Sequence, residues 1–218
     1  CQIDTKCTAA AVANLEKEPA LIPINPGSLQ DVLDSVITIA SAMGKKEVGV
    51  AHVKELESRI AKVIDVQREN RLLQKSVMLL EWIDPLFNCG HWIPHQIGCA
   101  GGIDLLSHPS GDSIVVDWDK IVKYDPEVLV IAPCGYTTET TLKDMPFLTE
   151  RTEWNSLRAV KNNAVYLADF DMFTQPSAST LVNGIEVLAQ IIHPDYYEVS
   201  EELKSKFSKF STILEETN

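Results

Sequence analysis

Three short segments of the sequence combine aromatic rings with polar side chains, and together they could hold a small molecule. Residues 82–92 contain three rings, a carboxylate and an imidazole, and residues 133–136 and 169–176 add rings with polar neighbours. Rigid aromatic walls with a few placed polar groups are typical of ligand sites, although such rings also cap cores beneath loops. The predicted site residues are Trp82, Asp84, Phe87, His91, Trp92, Tyr136, Phe173 and Gln175.

Two cysteines and two histidines near the first segment raise the question of a metal site. Cys89, His91, His95 and Cys99 place two thiols and two imidazoles within a short stretch, and these side chains are common ligands of Zn²⁺. Their spacing matches no standard zinc finger or ribbon. We therefore predict no metal site, with His91 at the cleft and His95 on the surface of a helix.

A nucleophilic site is the other chemical alternative. Cys134 could act as a nucleophile, with His91 across the cleft as its base, but acyl transfer also needs a third group that orients the base. No nucleophile elbow is recognisable, and a cysteine in such surroundings is more often a small apolar residue. The sequence therefore predicts a protein that is not an enzyme.

The elements around these segments predict that they meet at one edge of a sheet. Apolar strands are expected over residues 76–81, 127–132 and 164–168, separated by helices that start near Trp92, Asp117 and Thr138 and followed by a helix over 179–192. Apolar strands that alternate with helices indicate an α/β fold with a mostly parallel sheet covered on both faces. Ligands of such sheets bind at the carboxyl ends of the strands, where the three segments begin.

A long helix is predicted before the sheet. Residues 46–73 contain one glycine, near the start, and no proline, and Val53, Leu56, Ile60, Val63 and Gln67 fall on one stripe. Two interpretations remain open, an ordinary surface helix or a rigid connector between two lobes.

The chain ends are also expected to contain helices. An Ala-rich helix is predicted over residues 5–17 and a strand over 20–25, and Ser28 with Asp31 indicates a capped helix that ends at Gly44. Near the other end, Val199, Leu203, Phe207 and Phe210 have helical spacing. That pattern predicts a helix docked on the domain or, alternatively, an interaction helix.

The overall composition excludes some partners. The 218 residues carry a formal net charge of −12, which argues against nucleic acid and anionic membranes as partners. No apolar run approaches the roughly 20 residues of a membrane span, and the chain begins without the features of a signal peptide. Five cysteines, an odd number, are more typical of a reducing compartment, but they do not fix the compartment.

Several motifs in order resemble one known family. LEWIDPLFNCGHWIP, AGG, DPEVLVIAPCGY, EWNSLRAVKNNAVYLAD and IIHP are similar to the cobalamin-type (class III, helical-backbone) ABC-transporter substrate-binding proteins, over Leu80 to Pro194. The resemblance implies two β-α lobes joined by a long helix, a corrinoid or iron chelate bound between the lobes, no required cofactor, an ABC permease as partner and an extracytoplasmic location. It divides the chain into a first-lobe remnant (1–44), a connector helix (45–73), a C-terminal lobe (74–197) and a C-terminal helix (198–218).

The resemblance also leaves a part unaccounted for. Family members have a further stretch before this region that forms most of the first lobe, and this sequence lacks it. That lobe is expected on the same chain or on another chain. The alternative is a subunit that keeps the fold as a non-binding scaffold in a larger, intracellular or organellar assembly.

Overall fold

The computed structural model describes residues 12–13, 15–17 and 19–216. In chain order, the strands are β1 (Lys75–Trp82), β2 (Phe87–Asn88), β3 (Gly90–His91), β4 (Gly102–Ile103), β5 (His108–Pro109), β6 (Val128–Ile131), β7 (Val165–Ala168) and β8 (Phe207–Lys209). The helices are α1 (Leu29–Ala42), α2 (Lys46–Asn70), α3 (Ile93–Cys99), α4 (Trp118–Tyr124), α5 (Thr138–Asp144), α6 (Pro146–Thr149), α7 (Arg158–Lys161), α8 (Ala178–Ile192), α9 (Glu201–Lys204) and α10 (Phe210–Glu216). Short 3₁₀ turns lie at Trp154–Ser156 and Phe170–Met172.

The main sheet confirms the predicted α/β fold. Its strand order is β2-β1-β6-β7-β8, and β4 also pairs with β1. The three predicted strands β1, β6 and β7 are neighbours and run parallel. Every residue of β6 and β7 is buried, because continuous apolar runs are stable in a sheet when helices cover both of its faces.

Alternate residues of the strands feed two cores, one on each face of the sheet. Val77 and Leu79 of β1 join the core formed with α1, α2, α3 and α8. Met78 and Leu80 join the core on the other face, with Ile121 of α4. This period of two follows from the pleat of the strand. The loops that lead to the helices of both layers begin at the ends of the strands.

Helix α2 is the predicted long helix, and it packs along the lobe beside α8. Val53, Leu56 and Val63 of the predicted stripe are buried. The Arg59 guanidinium donates to both carboxylate oxygens of Glu186 on α8, at 2.9 and 2.7 Å. No helix in the described part of the chain has the length and apolar content needed to cross a membrane.

Helix α1 belongs to the same packed body as the sheet. Ser28 and Asp31 form the predicted capping box, and Leu29, Val32 and Leu33 are buried in the core shared with α2 and α8. The apolar face of α1 is therefore covered by the part of the chain that the structure describes, and the assignment of residues 1–44 to a first-lobe remnant stays a prediction.

The strand predicted over residues 20–25 is absent from the structure. The segment is extended but exposed, with Leu21, Ile22 and Ile24 between 40% and 57% accessible. A strand needs a partner for its backbone groups, and the described residues provide none here. Most of the helix predicted over residues 5–17 lies outside the described residues.

The single C-terminal helix predicted over residues 198–218 is wrong. The segment forms the short helix α9, the strand β8 and the helix α10. Strand β8 pairs antiparallel with β7, with Phe207 opposite Ala168. The free edge of β7 offers unpaired backbone groups, and these long-range hydrogen bonds override the helical spacing of the side chains.

Candidate functional site

The carboxyl ends of β1, β6 and β7 lie side by side and form what we call the strand-end face, made of residues 82–92, 133–137 and 169–176. At its centre the rings of Trp82 and Tyr136 lie 5.3 Å apart in an edge-to-face arrangement. Both side chains are half-buried, so each keeps a surface that a ligand can contact. Burial raises the pKa of the Tyr136 hydroxyl, and the nearby Asp144 carboxylate of α5 raises it further.

Hydrogen bonds join the second and third loops of the strand-end face. The backbone N–H of Phe170 donates to Tyr136 O at 3.0 Å, and the N–H of Thr138 donates to Asp169 Oδ1 at 2.9 Å. Lys206 Nζ lies 2.7 Å from Asp171 Oδ2, which ties the third loop to the segment before β8. The face is therefore held by backbone and charged contacts rather than by side-chain packing alone.

His91 marks the rim of the face. Its side chain is 29% exposed, and its Nε2 lies 4.0 Å from Asp112 Oδ1. The backbone of His91 has a φ of 52°, an uncommon left-handed conformation for a residue other than glycine. Its N–H donates to Gly111 O at 2.6 Å, so the loop at residues 108–113 holds His91 in place.

The remaining predicted residues divide into exposed and buried groups. Asp84 and Gln175 are exposed, and Phe87 is half-buried opposite Trp82 in the β1–β2 pair. Phe173 has no accessible surface and Trp92 has 8%. The prediction that Phe173 and Trp92 line the site is therefore wrong: both rings point into the core, which sequence spacing in a loop does not reveal.

Trp92 instead holds the loop after β7 from the core side, together with Gln96, which the sequence analysis did not identify. The Trp92 indole donates to Phe173 O at 2.6 Å. One helical turn later, the fully buried Gln96 donates from Nε2 to Met172 O at 2.9 Å and to Leu181 O at 2.7 Å. The i, i+4 spacing of Trp92 and Gln96 on a short helix was the available signal. These bonds tie the loop after β7 to the helix that follows the loop after β1.

We expect Gln96→Leu to loosen the loop after β7 without unfolding the lobe. The similar-sized side chain removes the amide donor from the carbonyls of Met172 and Leu181, which costs about 1–3 kcal/mol of stability. Hydrogen–deuterium exchange should accelerate at residues 172–175 more than in β6 or β7.

The matched control is Gln67→Leu, which removes a similar donation of 2.7 Å from a glutamine Nε2 to Cys99 O. This variant should leave exchange at residues 172–175 unchanged. Equal acceleration in the two variants would contradict a specific role for Gln96.

The buried thiol of Cys89 is poorly suited to metal binding or catalysis. Burial raises the pKa of this thiol well above its usual value, and burial also raises the pKa of Asp104 to about 6. The two groups are in contact, with the thiol donating to Asp104 Oδ2 at 3.6 Å. A thiolate, not a thiol, binds metals and attacks carbonyls.

The metal and nucleophile alternatives gain no support from the geometry. Within the residues that the structure describes, no three His, Cys, Asp or Glu side chains are placed to hold a metal ion. Cys134 is exposed and, in the same part of the chain, forms no side-chain hydrogen bond with His91. The absence of a bound metal in the purified protein stays a prediction.

Two cavities lie away from the strand-end face. One, of about 380 Å³, is bordered by α2, α8 and the segment before α9, and includes Arg59, Val63 and Tyr197. The other, of about 410 Å³, is bordered by residues 190–198. Neither cavity borders the Trp82–Tyr136 pair.

Comparisons with known proteins agree with this architecture. The profile of a family described as periplasmic binding protein matches residues 4–172. A relative in Bacillus subtilis (strain 168), an uncharacterized ABC transporter substrate-binding lipoprotein, YvrC, is 25% identical over 178 residues. The match covers 78% of this chain and 52% of the relative, so the chain spans about half the length of that relative.

Two solved structures have a similar fold. One, an ABC-type Fe³⁺-hydroxamate transport system from Saccharomonospora viridis DSM 43017, gives a TM-score of 0.64 at 17% identity and covers 81% of this chain and 59% of its own. The other, S. aureus IsdE complexed with heme, gives 0.66 at 16% identity, with 78% and 67% covered. At these identities the likeness concerns the fold.

Proposed function

Because the chain belongs to the periplasmic binding protein family, we propose that its strand-end face is one wall of a cleft that binds a metal chelate for ABC transport. The observation that carries the proposal is the half-exposed edge-to-face pair of Trp82 and Tyr136 at the ends of two parallel strands. Ligands of open α/β sheets bind at this edge, and flat rings provide large contact areas at low entropic cost.

The proposed ligand is a corrinoid or an iron chelate. A corrinoid has a broad face for aromatic contacts and amide groups at its edge, for which Asp84, His91 and Gln175 offer acceptors and donors. The structural neighbours support this class of ligand, since one belongs to an Fe³⁺-hydroxamate transport system and another was solved with heme. Both members of this class, a corrinoid and an iron chelate, belong to the proposal, and the titrations below distinguish them.

The same proposal assigns the remaining parts of the system. The lobe of residues 74–197, with the connector at 45–73, would close on its ligand against a first lobe. The partner would be an ABC permease, and the binding protein would act outside the cytoplasm without catalysis. The substrate-binding lipoprotein of Bacillus subtilis supports these assignments. A scaffold subunit without ligand is the alternative outcome of the experiment below.

The indole N–H signals of the tryptophans test the proposal on the chain itself. Cyanocobalamin, a diamagnetic corrinoid, is titrated to several millimolar while the indole resonances are followed by NMR. Trp82 should shift in a saturable manner. Trp118 and Trp154 should not, because they stack on each other with centroids 6.4 Å apart on another part of the lobe.

Two variants assign the response. Trp82→Leu should abolish the saturable shifts of the neighbouring loop amides, and Trp118→Leu should leave them unchanged. If neither cyanocobalamin nor a gallium(III) hydroxamate shifts Trp82 at millimolar concentration, the binding proposal fails and the scaffold alternative is favoured.

A further inference from the structure

The strand-end face is strongly acidic. Five aspartates lie on the three loops or in contact with them: Asp84, Asp112, Asp144, Asp169 and Asp171. Asp84 is exposed, and its backbone carbonyl accepts the Trp82 indole N–H at 3.0 Å. In the part of the chain that the structure describes, the Asp84 carboxylate forms no ion pair. It therefore stands beside the aromatic pair as an unneutralised charge.

Among the residues that the structure describes, the basic groups seen in contact with this face are already paired with acids. Lys206 Nζ lies 2.7 Å from Asp171 Oδ2 and 3.8 Å from Asp169 Oδ2, so one ammonium faces two carboxylates. The other basic group at the rim, His91, faces Asp112 at 4.0 Å. Neither group is free to neutralise an anionic ligand without breaking its own pair.

The arginines, which bind carboxylates and phosphates best, lie elsewhere. Three of the five pair with acids away from the face: Arg59 with Glu186, Arg68 with Asp65 and Arg158 with Asp125. Arg71 caps the far end of α2, and Arg151 lies 5.5 Å from the Trp118 ring centroid. The described strand-end face thus offers no guanidinium to a ligand carboxylate.

Candidate chelates differ in charge in a way that this arrangement can distinguish. Heme carries two propionates, and tris-catecholate complexes of ferric iron are polyanions. Tris-hydroxamate complexes of ferric iron are neutral, or cationic when they carry a pendant amine, and cyanocobalamin has no net charge. Like charges at an interface suppress the wrong partner, whereas opposite charges raise association rates.

We propose that the strand-end face selects neutral or cationic chelates and rejects anionic ones, with Asp84 as the residue that pairs with a positive group of the ligand. This inference rests on the proposed function, because it assumes that the face binds a chelate. The selection is a property of this wall of the cleft, where Asp84 adjoins Trp82 and forms no ion pair with another described residue.

The test uses two gallium(III) complexes, which are diamagnetic substitutes for the ferric ones. One is the complex of desferrioxamine B, a trihydroxamate with a pendant ammonium, and the other is a tris-catecholate complex. Each is titrated into the 218-residue chain at low salt with the Trp82 indole resonance as readout. We expect half-saturation at a concentration at least about tenfold lower for the cationic complex, with the gap narrowing as salt screens the charges.

Charge-neutralising variants identify the residue responsible. Asp84→Asn should reduce the preference for the cationic complex at least about threefold. Asp195→Asn makes the same change of charge at an exposed position beyond the far end of α8 and should leave the preference intact.

The outcomes separate the inference from the proposed function. If the catecholate complex shifts Trp82 at an equal or lower concentration than the cationic complex, the charge selection is overturned while chelate binding stands. An unchanged preference in Asp84→Asn would overturn the role of that residue. If no complex shifts Trp82, the proposed function fails, and the selection fails with it.

Discussion

Phe173→Ala is expected to lower the free energy of unfolding by about 3–5 kcal/mol, as for other fully buried phenylalanines. The Phe173 side chain has no accessible surface, and its ring packs in the core formed with Trp92 and Leu181. Truncation to alanine leaves a cavity at the base of the loop after β7, because the backbone is fixed there by the Trp92 indole. Urea denaturation of the two proteins measures the difference.

The matched control for this prediction is Phe147→Ala. Phe147 is 53% exposed on α6, and substitutions at such positions usually change stability by no more than about 0.5 kcal/mol. A similar, small effect in both variants would mean that Phe173 is accessible, and the original prediction of a ligand contact would then be restored.

Much of the fold could be predicted from the sequence because its signals are local. The apolar runs of β1, β6 and β7 restrict the fold class, since such strands need helices that cover both faces of the sheet. Ser28 with Asp31, and the stripe containing Val53 and Leu56, likewise depend on residues within a few turns of one another. The helix starts near Trp92, Asp117 and Thr138 were predicted from local signals as well.

The predictions that failed concern segments whose structure depends on contacts between residues distant in sequence. Phe207 was placed in a helix by its spacing, but it pairs with β7, about forty residues earlier in the chain. Residues 20–25 have the composition of a strand but no partner in the described residues. Local patterns predict what a segment can form, and its neighbours in space decide which form is stable.

The positions of the candidate site residues were predicted in part. Trp82 and Tyr136 come together at the strand ends as expected, because parallel strands place their following loops at one edge. Trp92 and Phe173 turn inward, because a loop has no fixed period that would tell which side chains face the solvent. Gln96 was missed since its role depends on two carbonyls more than seventy residues away.

The largest effect on ligand affinity is expected from adding a first lobe, which would form the second wall of the cleft. In the proposed cleft the strand-end face is one of two walls, so a corrinoid bound to this face alone keeps about half of the contacts that a closed cleft would give. It still loses its full translational and rotational freedom on binding. We therefore expect an affinity on the order of millimolar for the 218-residue chain, and micromolar or tighter affinity, about −8 kcal/mol, when a first lobe closes the cleft.

Titration calorimetry with cyanocobalamin, on the 218-residue chain and on the same chain preceded by a first lobe, tests this account most directly. The predicted result is no saturable binding below ~100 µM for the chain alone and saturable micromolar binding for the two-lobed protein. Tight binding by the chain alone would contradict the need for a second wall. Absence of binding by the folded two-lobed protein would contradict a corrinoid cleft and favour a scaffold.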